Sequence, residues 1–142
     1  MAGLLTPTEG HVILDGRPLS QSQYGELRAR VTMAFQKPLV FGTSVFNNVA
    51  YGLRVQGLPE GEIRDRVDEA LRSVGLSHLA ERQARALSGG EQKRLSLAMA
   101  MVTEPDILLL DEPTAYLDTE GISMVETLVD AARCRGTGVV IA

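Results

Sequence analysis

The fold of this chain is decided by residues 107–113, which read Ile-Leu-Leu-Leu-Asp-Glu-Pro. Four consecutive apolar residues are typical of a strand buried on both faces of a parallel sheet. The carboxylates of Asp111 and Glu112 follow at once, so we expect them at the carboxyl edge of that sheet, where open α/β sheets bind ligands. One carboxylate there could hold magnesium, usually through water, and the next could deprotonate an attacking water. A bare acidic pair at a turn is usually just solvated; the apolar run favours the functional interpretation.

A second stretch, residues 87–92, reads Leu-Ser-Gly-Gly-Glu-Gln and opens a predicted helix. Ser88 followed three residues later by Glu91 is the pattern of a capping box, which would explain both residues without any ligand. Gly89 and Gly90, however, each cost a helix interior about 1 kcal/mol relative to alanine. Glycines suit a backbone that another group must approach, and an exposed helix N-terminus receives phosphate oxygens well. Both interpretations can hold together.

Composition narrows the class of protein. A chain of 142 residues is about one domain and is long enough for a substantial core. A net charge of −4 and an aromatic content of 4% argue against nucleic acid as the main ligand. The single cysteine, Cys134, cannot form an internal disulfide, which fits a reducing compartment. No apolar stretch approaches the roughly 20 residues that span a bilayer, so we expect any membrane role to be peripheral.

Strands and helices alternate along the second half of the chain, which predicts an α/β layer architecture. Predicted strands cover residues 11–14, 30–36, 107–111 and 139–142, the first closed by an Asp15-Gly16 turn and the last a buried strand. Predicted helices follow a cap at Thr43 or Ser44, cover residues 63–74 before Gly75, run from Ser88 to about Val102, and cover residues 122–132 before Gly136. Residues 38–86 are therefore predicted to be an inserted helical lobe.

Taken in order, these motifs resemble those of the nucleotide-binding subunit of an ABC transporter. Residues 87–92 match the LSGGQ-type signature of that family in its LSGGEQ form, and residues 107–111 match its Walker B strand. Residues 114–118 match its D-loop, and residues 3–10 resemble the segment that follows the P-loop helix. The likeness covers the whole chain, and the pairing of signature with Walker B is highly specific.

The resemblance implies an incomplete P-loop NTPase core of the RecA-like ABC ATPase type. Residues 1–37 and 87–142 would form the partial core, and residues 38–86 the helical (signature) subdomain. The sequence contains no GxxxxGK[ST] motif, and it stops before the family's H-loop histidine, so we expect a chain truncated at both ends. The family places the P-loop strand near residues 139–142, and an open strand edge there would pair with another chain.

Site residues follow from the same resemblance. In the family, two subunits pair head to tail and sandwich two ATP molecules. Glu112 would act as the catalytic base, while Asp111 and Gln36, the Q-loop glutamine, would hold Mg²⁺ through water. Asp118 of the D-loop would link the two sites. The signature would bind the nucleotide of the partner subunit through Ser88, Gly89, Gly90 and Glu91.

Two residues depart from the family pattern. Tyr116 replaces the small residue usual in the D-loop, and Met99 stands where relatives often carry arginine. Both concern the detail of the interface between subunits.

The function implied is an ATP-binding subunit that couples ATP hydrolysis to import of a solute, located in the cytoplasm on the inner face of the membrane. Its partners would be a second ATP-binding subunit, as a homodimer, and a membrane permease, with no nucleic acid. Residues 41–49 and 51–53 resemble an importer's lobe, and an oxyanion is the expected solute. Without a P-loop and histidine, the chain alone is not expected to hydrolyse ATP.

Two alternatives remain open. The chain could be a non-enzymatic module in which residues 38–86 dock a permease. It could also be a fragment of an ABC ATPase of translation or DNA repair, although the short stretch between Gln36 and Ser88 and the lack of a basic stripe disfavour this.

Overall fold

A computed structural model describes residues 7–142, apart from the side chains of Gln21 and Glu26. The expected likeness of residues 3–10 to a post-P-loop segment lies largely outside this described part. In chain order the elements are β1 (Ile13–Leu14), β2 (Arg17–Pro18), α1 (Tyr24–Arg30), β3 (Val31–Ala34), α2 (Val45–Val55), α3 (Glu60–Ser73), α4 (Gly89–Met101), β4 (Ile107–Leu110), α5 (Thr119–Cys134) and β5 (Gly138–Ile141). Single 3₁₀ turns lie at Gln21–Gln23, Ser77–Leu79 and Ala84–Ala86.

The first two strands form a short antiparallel hairpin, β1–β2. Its turn residues Asp15 and Gly16 both have positive φ angles, of 51° and 78°, as the tight type I′ hairpin turn requires. The Asp-Gly turn was predicted from the sequence, but the strand before it is shorter than the expected residues 11–14.

The main sheet has three parallel strands in the order β3-β4-β5. Val31 pairs with Ile107, and Ala34 with Leu110, so the two strands end at the same level. Leu110 in turn pairs with Ile141 of β5. All three carboxyl ends therefore meet at one edge of the sheet.

Burial of the sheet differs from the sequence prediction in two places. In β4 only Leu108 and Leu110 are fully buried, while the alternate residues Ile107 and Leu109 are half-buried against the smaller cluster beside α1. In β5, Val140 is 51% exposed and Ile141 is 55% exposed. The expected buried strand is instead an edge strand, because among the described residues only β4 pairs with it.

Helices α2 to α5 lie where the sequence predicts helices, although α3 and α5 each begin three residues earlier than expected, and α1 was not predicted. Ser44 caps α2 by accepting a hydrogen bond from the backbone N–H of Asn47 (3.2 Å). Helix α3 buries its predicted apolar face and ends just before Gly75, whose φ of 70° is the left-handed conformation that glycine adopts at helix ends. Gly136, with φ 92°, follows α5 in the same way.

Two apolar clusters share helix α4. Leu95 and Ala98 belong to the cluster formed with α2 and α3, which we call the lobe cluster. Leu97 and Ala100 belong to the cluster formed with β3, β4 and α5, which we call the sheet cluster. Helix α4 is buried on both sides for this reason, and it joins the helical lobe to the sheet.

Arg30 ties the hairpin to the amino end of β4. Its Nη1 donates to Asp15 Oδ2 at 2.6 Å, and its Nε donates to Asp106 Oδ2 at 2.5 Å. The hydrogen bond from Arg30 and its charge hold the pKa of Asp15 below its usual range.

The exposed edge of β5 generates the first prediction. Its free backbone groups and exposed apolar side chains are a template for pairing with another strand. We expect this 142-residue chain to form concentration-dependent oligomers, and Val140→Lys to shift them towards monomer because a charge on an edge strand opposes pairing. Light scattering over a concentration series measures the shift.

Val55→Lys is the matched control, since Val55 is 70% exposed but ends a helix and offers no strand edge. An equal shift with both variants, or a monodisperse wild-type monomer, contradicts pairing through β5.

Candidate functional site

Polar side chains gather where the three parallel strands end. The Asp111 N–H donates to the carbonyl of Ala34 (3.0 Å), and the Glu112 N–H donates to that of Ala142 (2.9 Å). These bonds extend the pairing of the strands by one residue and fix the backbone of both acidic residues. The site is therefore assembled by sheet register.

The structure brings two of the predicted residues into direct contact. Gln36 Nε2 donates to Glu112 Oε2 at 2.7 Å, although the two residues are far apart in sequence. Gln36 is half-buried and Glu112 is exposed, so the pair lies at the surface of the sheet edge. The carbonyl oxygen of the Gln36 amide is not used in this bond.

Glu112 has an unusual backbone. Its φ is 43°, in the left-handed region, whereas a residue that precedes proline normally has an extended backbone. Such a conformation costs about 1–3 kcal/mol and persists only where the surroundings hold it. Here its N–H is bonded to Ala142, and its carbonyl accepts from the Ala115 N–H (3.1 Å).

A buried lysine underlies this edge. Lys93 of α4 is 1% exposed, and its Nζ donates to the carbonyls of Phe35 (3.2 Å), Gln36 (3.3 Å) and Asp111 (3.3 Å). Burial lowers the pKa of the Lys93 ammonium, and the charges of Asp111 and Glu112 partly offset this.

The sequence prediction did not find the place of Lys93 in this site. The sequence feature that could have indicated this place is the spacing of three residues: Lys93, Leu97 and Ala100 lie four and then three residues apart, on one helical face. That face packs on the sheet, so a lysine within it had to be buried.

The signature helix begins with the predicted capping box. The Glu91 N–H donates to Ser88 Oγ (3.3 Å), and the Ser88 N–H donates to Glu91 Oε2 (2.7 Å). The bond from the Ser88 backbone, together with its side chain, lowers the pKa of Glu91. A Cβ at Gly89 would meet no atom within 4 Å, so no contact inside the described chain requires that glycine.

The D-loop segment lies beside the signature. A Cβ on Gly90 would sit 3.7 Å from the carbonyl oxygen of Tyr116. Asp118 caps α5, accepting from the Gly121 N–H (2.8 Å), a role that the sequence prediction did not include. Tyr116 itself is 83% exposed with a φ of 65°.

The residues at the sheet edge fit a magnesium ion that takes its remaining ligands from water and phosphate. Within residues 7–142, no group of three or more His, Cys, Asp or Glu side chains could hold a metal ion. Mg²⁺ keeps several waters and binds through one or two carboxylates together with phosphates. The carboxylate of Asp111 and the amide oxygen of Gln36, the two residues expected to hold Mg²⁺ through water, would provide such a partial set, with Glu112 beside them.

No helix in the described part of the chain has both the length and the apolar content to cross a bilayer.

The acidic edge of a parallel sheet beside a capped, glycine-rich helix belongs to an ATPase core of the P-loop NTPase class, in agreement with the structural relatives. A family model described as "ABC transporter" matches residues 1–115. The chain belongs to the ABC transporter family, as a nucleotide-binding domain. The family and fold class expected from residues 87–92 and 107–113 are confirmed.

Curated relatives agree with this assignment. The chain is 39% identical over 145 residues to an energy-coupling factor transporter ATP-binding protein, EcfA3, of Clostridium perfringens, covering 99% of this chain and 51% of the relative. It is 42% identical over 148 residues to the phosphate import ATP-binding protein PstB 2 of Natronomonas pharaonis, covering 96% and 52%. The chain spans about half the length of these relatives.

Solved structures share the fold. Against cbiO1 from Clostridium perfringens, part of the ABC transporter complex cbiONQ, the TM-score is 0.83 at 37% identity, covering 99% of this chain and 58% of that one. Against the dimeric ATP-binding cassette MJ0796, bound to ADP and Pi, the TM-score is 0.88 at 27% identity, covering 99% and 65%.

The positive φ of Tyr116 generates the second prediction. A Cβ in the left-handed conformation costs roughly 1–2 kcal/mol, which glycine avoids. We expect Tyr116→Gly to have a free energy of unfolding about 1 kcal/mol higher than Tyr116→Ala, measured by urea denaturation.

Arg64, which is exposed in the middle of α3, is the control position. There the alanine variant should be more stable than the glycine variant, because glycine costs about 1 kcal/mol relative to alanine in a helix. If the alanine variant at position 116 is as stable as the glycine variant, the backbone there is not strained.

Proposed function

We propose that this chain supplies the hydrolytic edge and the signature of an ABC transporter ATP-binding subunit that couples ATP hydrolysis to solute import. The contact between Gln36 and Glu112, 2.7 Å at the carboxyl edge of the parallel sheet, is the observation that carries the proposal. Glu112 would take the proton of the attacking water, and Asp111 would help hold Mg²⁺ through water. Gln36 would orient Glu112 and sense the metal ion.

The signature would act on the ATP of a second subunit. Ser88, Gly89 and Gly90 open α4 at the surface, and Gly89 leaves its backbone open to a phosphate. A homodimer would pair these residues with the partner's nucleotide, and Asp118 would link the two sites. The dimeric state described for the related cassette MJ0796 supports such pairing.

We assign the chain to two subdomains. Residues 1–37 and 87–142 would form the ATPase core, and residues 38–86 the helical subdomain. The lobe cluster supports the division, because α2 and α3 bury their apolar faces there and not on the sheet. The subunit would lie in the cytoplasm against a membrane permease.

The third prediction concerns activity of the chain alone. Phosphoryl transfer depends on positioning the phosphates, and no GxxxxGK[ST] motif is present to hold them. We expect no Mg²⁺-dependent release of phosphate from ATP above background. Turnover that Glu112→Gln abolishes would show that the chain alone is competent.

A chimera tests the proposed role directly. The chain replaces the matching half of Clostridium perfringens EcfA3, which contributes the rest of the subunit. We expect ATP hydrolysis that Glu112→Gln reduces at least about 100-fold, the lower range for loss of a general base. Glu69→Gln, an exposed carboxyl on α3, should leave the rate unchanged. If Glu112→Gln behaves like Glu69→Gln, Glu112 is not the base.

A second candidate function is permease docking without hydrolysis. Four large apolar side chains of residues 38–86, the proposed helical subdomain, are exposed: Leu39, Phe41, Tyr51 and Val55. The rings of Phe41 and Tyr51 pack with centroids 4.8 Å apart. Exposed apolar patches of this kind mark surfaces that bind other proteins.

Buried Asn48 fixes the segment that carries Phe41. It accepts from the Phe41 N–H (2.7 Å), and its Nδ2 donates to the carbonyls of Phe41 (3.2 Å) and Ser44 (2.9 Å). The aromatic pair is thus presented by a fixed loop, which lowers the entropic cost of binding.

A further prediction tests docking. We expect the chain to retain a detergent-solubilised membrane component of an energy-coupling factor or phosphate import transporter in a pull-down. Tyr51→Ser should weaken retention at least about tenfold, as loss of a buried aromatic anchor does. Glu69→Gln serves as the control. Retention of neither component, or equal retention by Tyr51→Ser, counts against this surface.

A further inference from the structure

We propose that Lys93 is a positioning residue that ties the signature helix to the hydrolytic edge and so sets the contact between Gln36 and Glu112. The inference rests on the function proposed for those two residues. The hydrogen bonds of Lys93 go to backbone carbonyls, so it acts through the backbone that carries the two side chains.

The number of hydrogens on the Lys93 ammonium equals the number of carbonyls that surround it. The ammonium carries three hydrogens and no acceptor, and three carbonyls lie within 3.3 Å. Two of these carbonyls, of Phe35 and Gln36, follow β3, and the third, of Asp111, follows β4. One charged group therefore holds the ends of two strands at a fixed separation.

The contacts reach the proposed catalytic pair directly. One carbonyl bound by Lys93 belongs to Gln36 itself, and another belongs to the residue before Glu112. A change in the position of Nζ would move both backbones, and the 2.7 Å side-chain bond spans the space between them. The geometry of that bond thus depends on where α4 lies.

Stability does not explain a lysine at this position. Burying an ammonium costs several kcal/mol of desolvation, and an apolar side chain of similar length is often equally or more stabilising in such a place. What an apolar side chain cannot supply is a set of directional bonds to three carbonyls.

Helix α4, which carries Lys93, packs in both apolar clusters. Leu95, two residues on, packs in the lobe cluster, while Leu97 packs in the sheet cluster. Lys93 is a polar contact between a helix anchored in the lobe and the edge that carries Glu112. Rotation of the lobe relative to the sheet would therefore be transmitted to the catalytic pair.

NMR of the full chain tests the geometry without ATP, so failure of the ATPase proposal would not affect the result. In the wild type, we expect the Nζ protons of Lys93 to exchange with water at least about tenfold more slowly than those of Lys37, which is exposed, because three hydrogen bonds protect them. Equal exchange of the two ammonium groups overturns the proposal.

Substitution tests the positioning role. In Lys93→Met, we expect the side-chain amide signals of Gln36 to shift, and the Asp111 amide to exchange about tenfold faster than global stability accounts for. Leu95→Ala, a buried change on the same helix, is the control for general destabilisation and should leave both signals in place. Unmoved signals in Lys93→Met, or equal changes in Leu95→Ala, overturn the proposal.

If Lys93→Met does not fold, Lys93→Arg replaces it. The planar guanidinium keeps the charge but cannot direct its hydrogens at three converging carbonyls. The Gln36 amide signals should still move, and a spectrum that matches the wild type overturns the positioning role.

Discussion

Parallel pairing of β4 with a strand on each side is the constraint on which the candidate site depends. The pairing of Ala34 with Leu110, and of Leu110 with Ile141, makes three strands end at one level. A slip of one residue would reverse which β4 side chains face the sheet cluster and would separate Gln36 from Glu112. The same register that buries Leu108 and Leu110 therefore also assembles the polar edge.

Local signals made much of the fold predictable. Caps at Ser44 and Ser88, stops at Gly75 and Gly136, and apolar spacing along α2 and α3 each act within a few residues, so the sequence displays them directly. The family followed from two short motifs. Burial of β5 was predicted wrongly, whereas the open strand edge expected at residues 139–142 is present, since among the described residues only β4 pairs with β5. The edge contact of Gln36 with Glu112 depends on sheet order, which no local pattern contains.

Lys93 illustrates the limit of pattern reasoning. Lys93 is one of two lysines in the sequence, and a lysine is ordinarily expected to be exposed to solvent. Its place on an apolar helical face indicates burial, but its acceptors come from two strand ends distant in sequence, which no helical pattern shows. A buried charge needs such partners, and tertiary structure alone supplies them.

The acidic edge of the sheet and the helix that begins at residues 88–90 approach each other in two places. Through Lys93, α4 bonds to the carbonyls of Gln36 and of Asp111, the residue before Glu112. Through residues 112–116, a turn fixed by the bond from the Ala115 N–H to the Glu112 carbonyl carries the chain to Tyr116, whose carbonyl oxygen would lie 3.7 Å from a Cβ on Gly90. Glu112 and Tyr116, at the two ends of this turn, both have positive φ, so the segment stores strain that its neighbours must hold. Only the first of these two approaches is made by hydrogen bonds. A displacement of α4 that moved Lys93 would therefore act first on the backbone of Asp111, and through it on the adjoining residue Glu112.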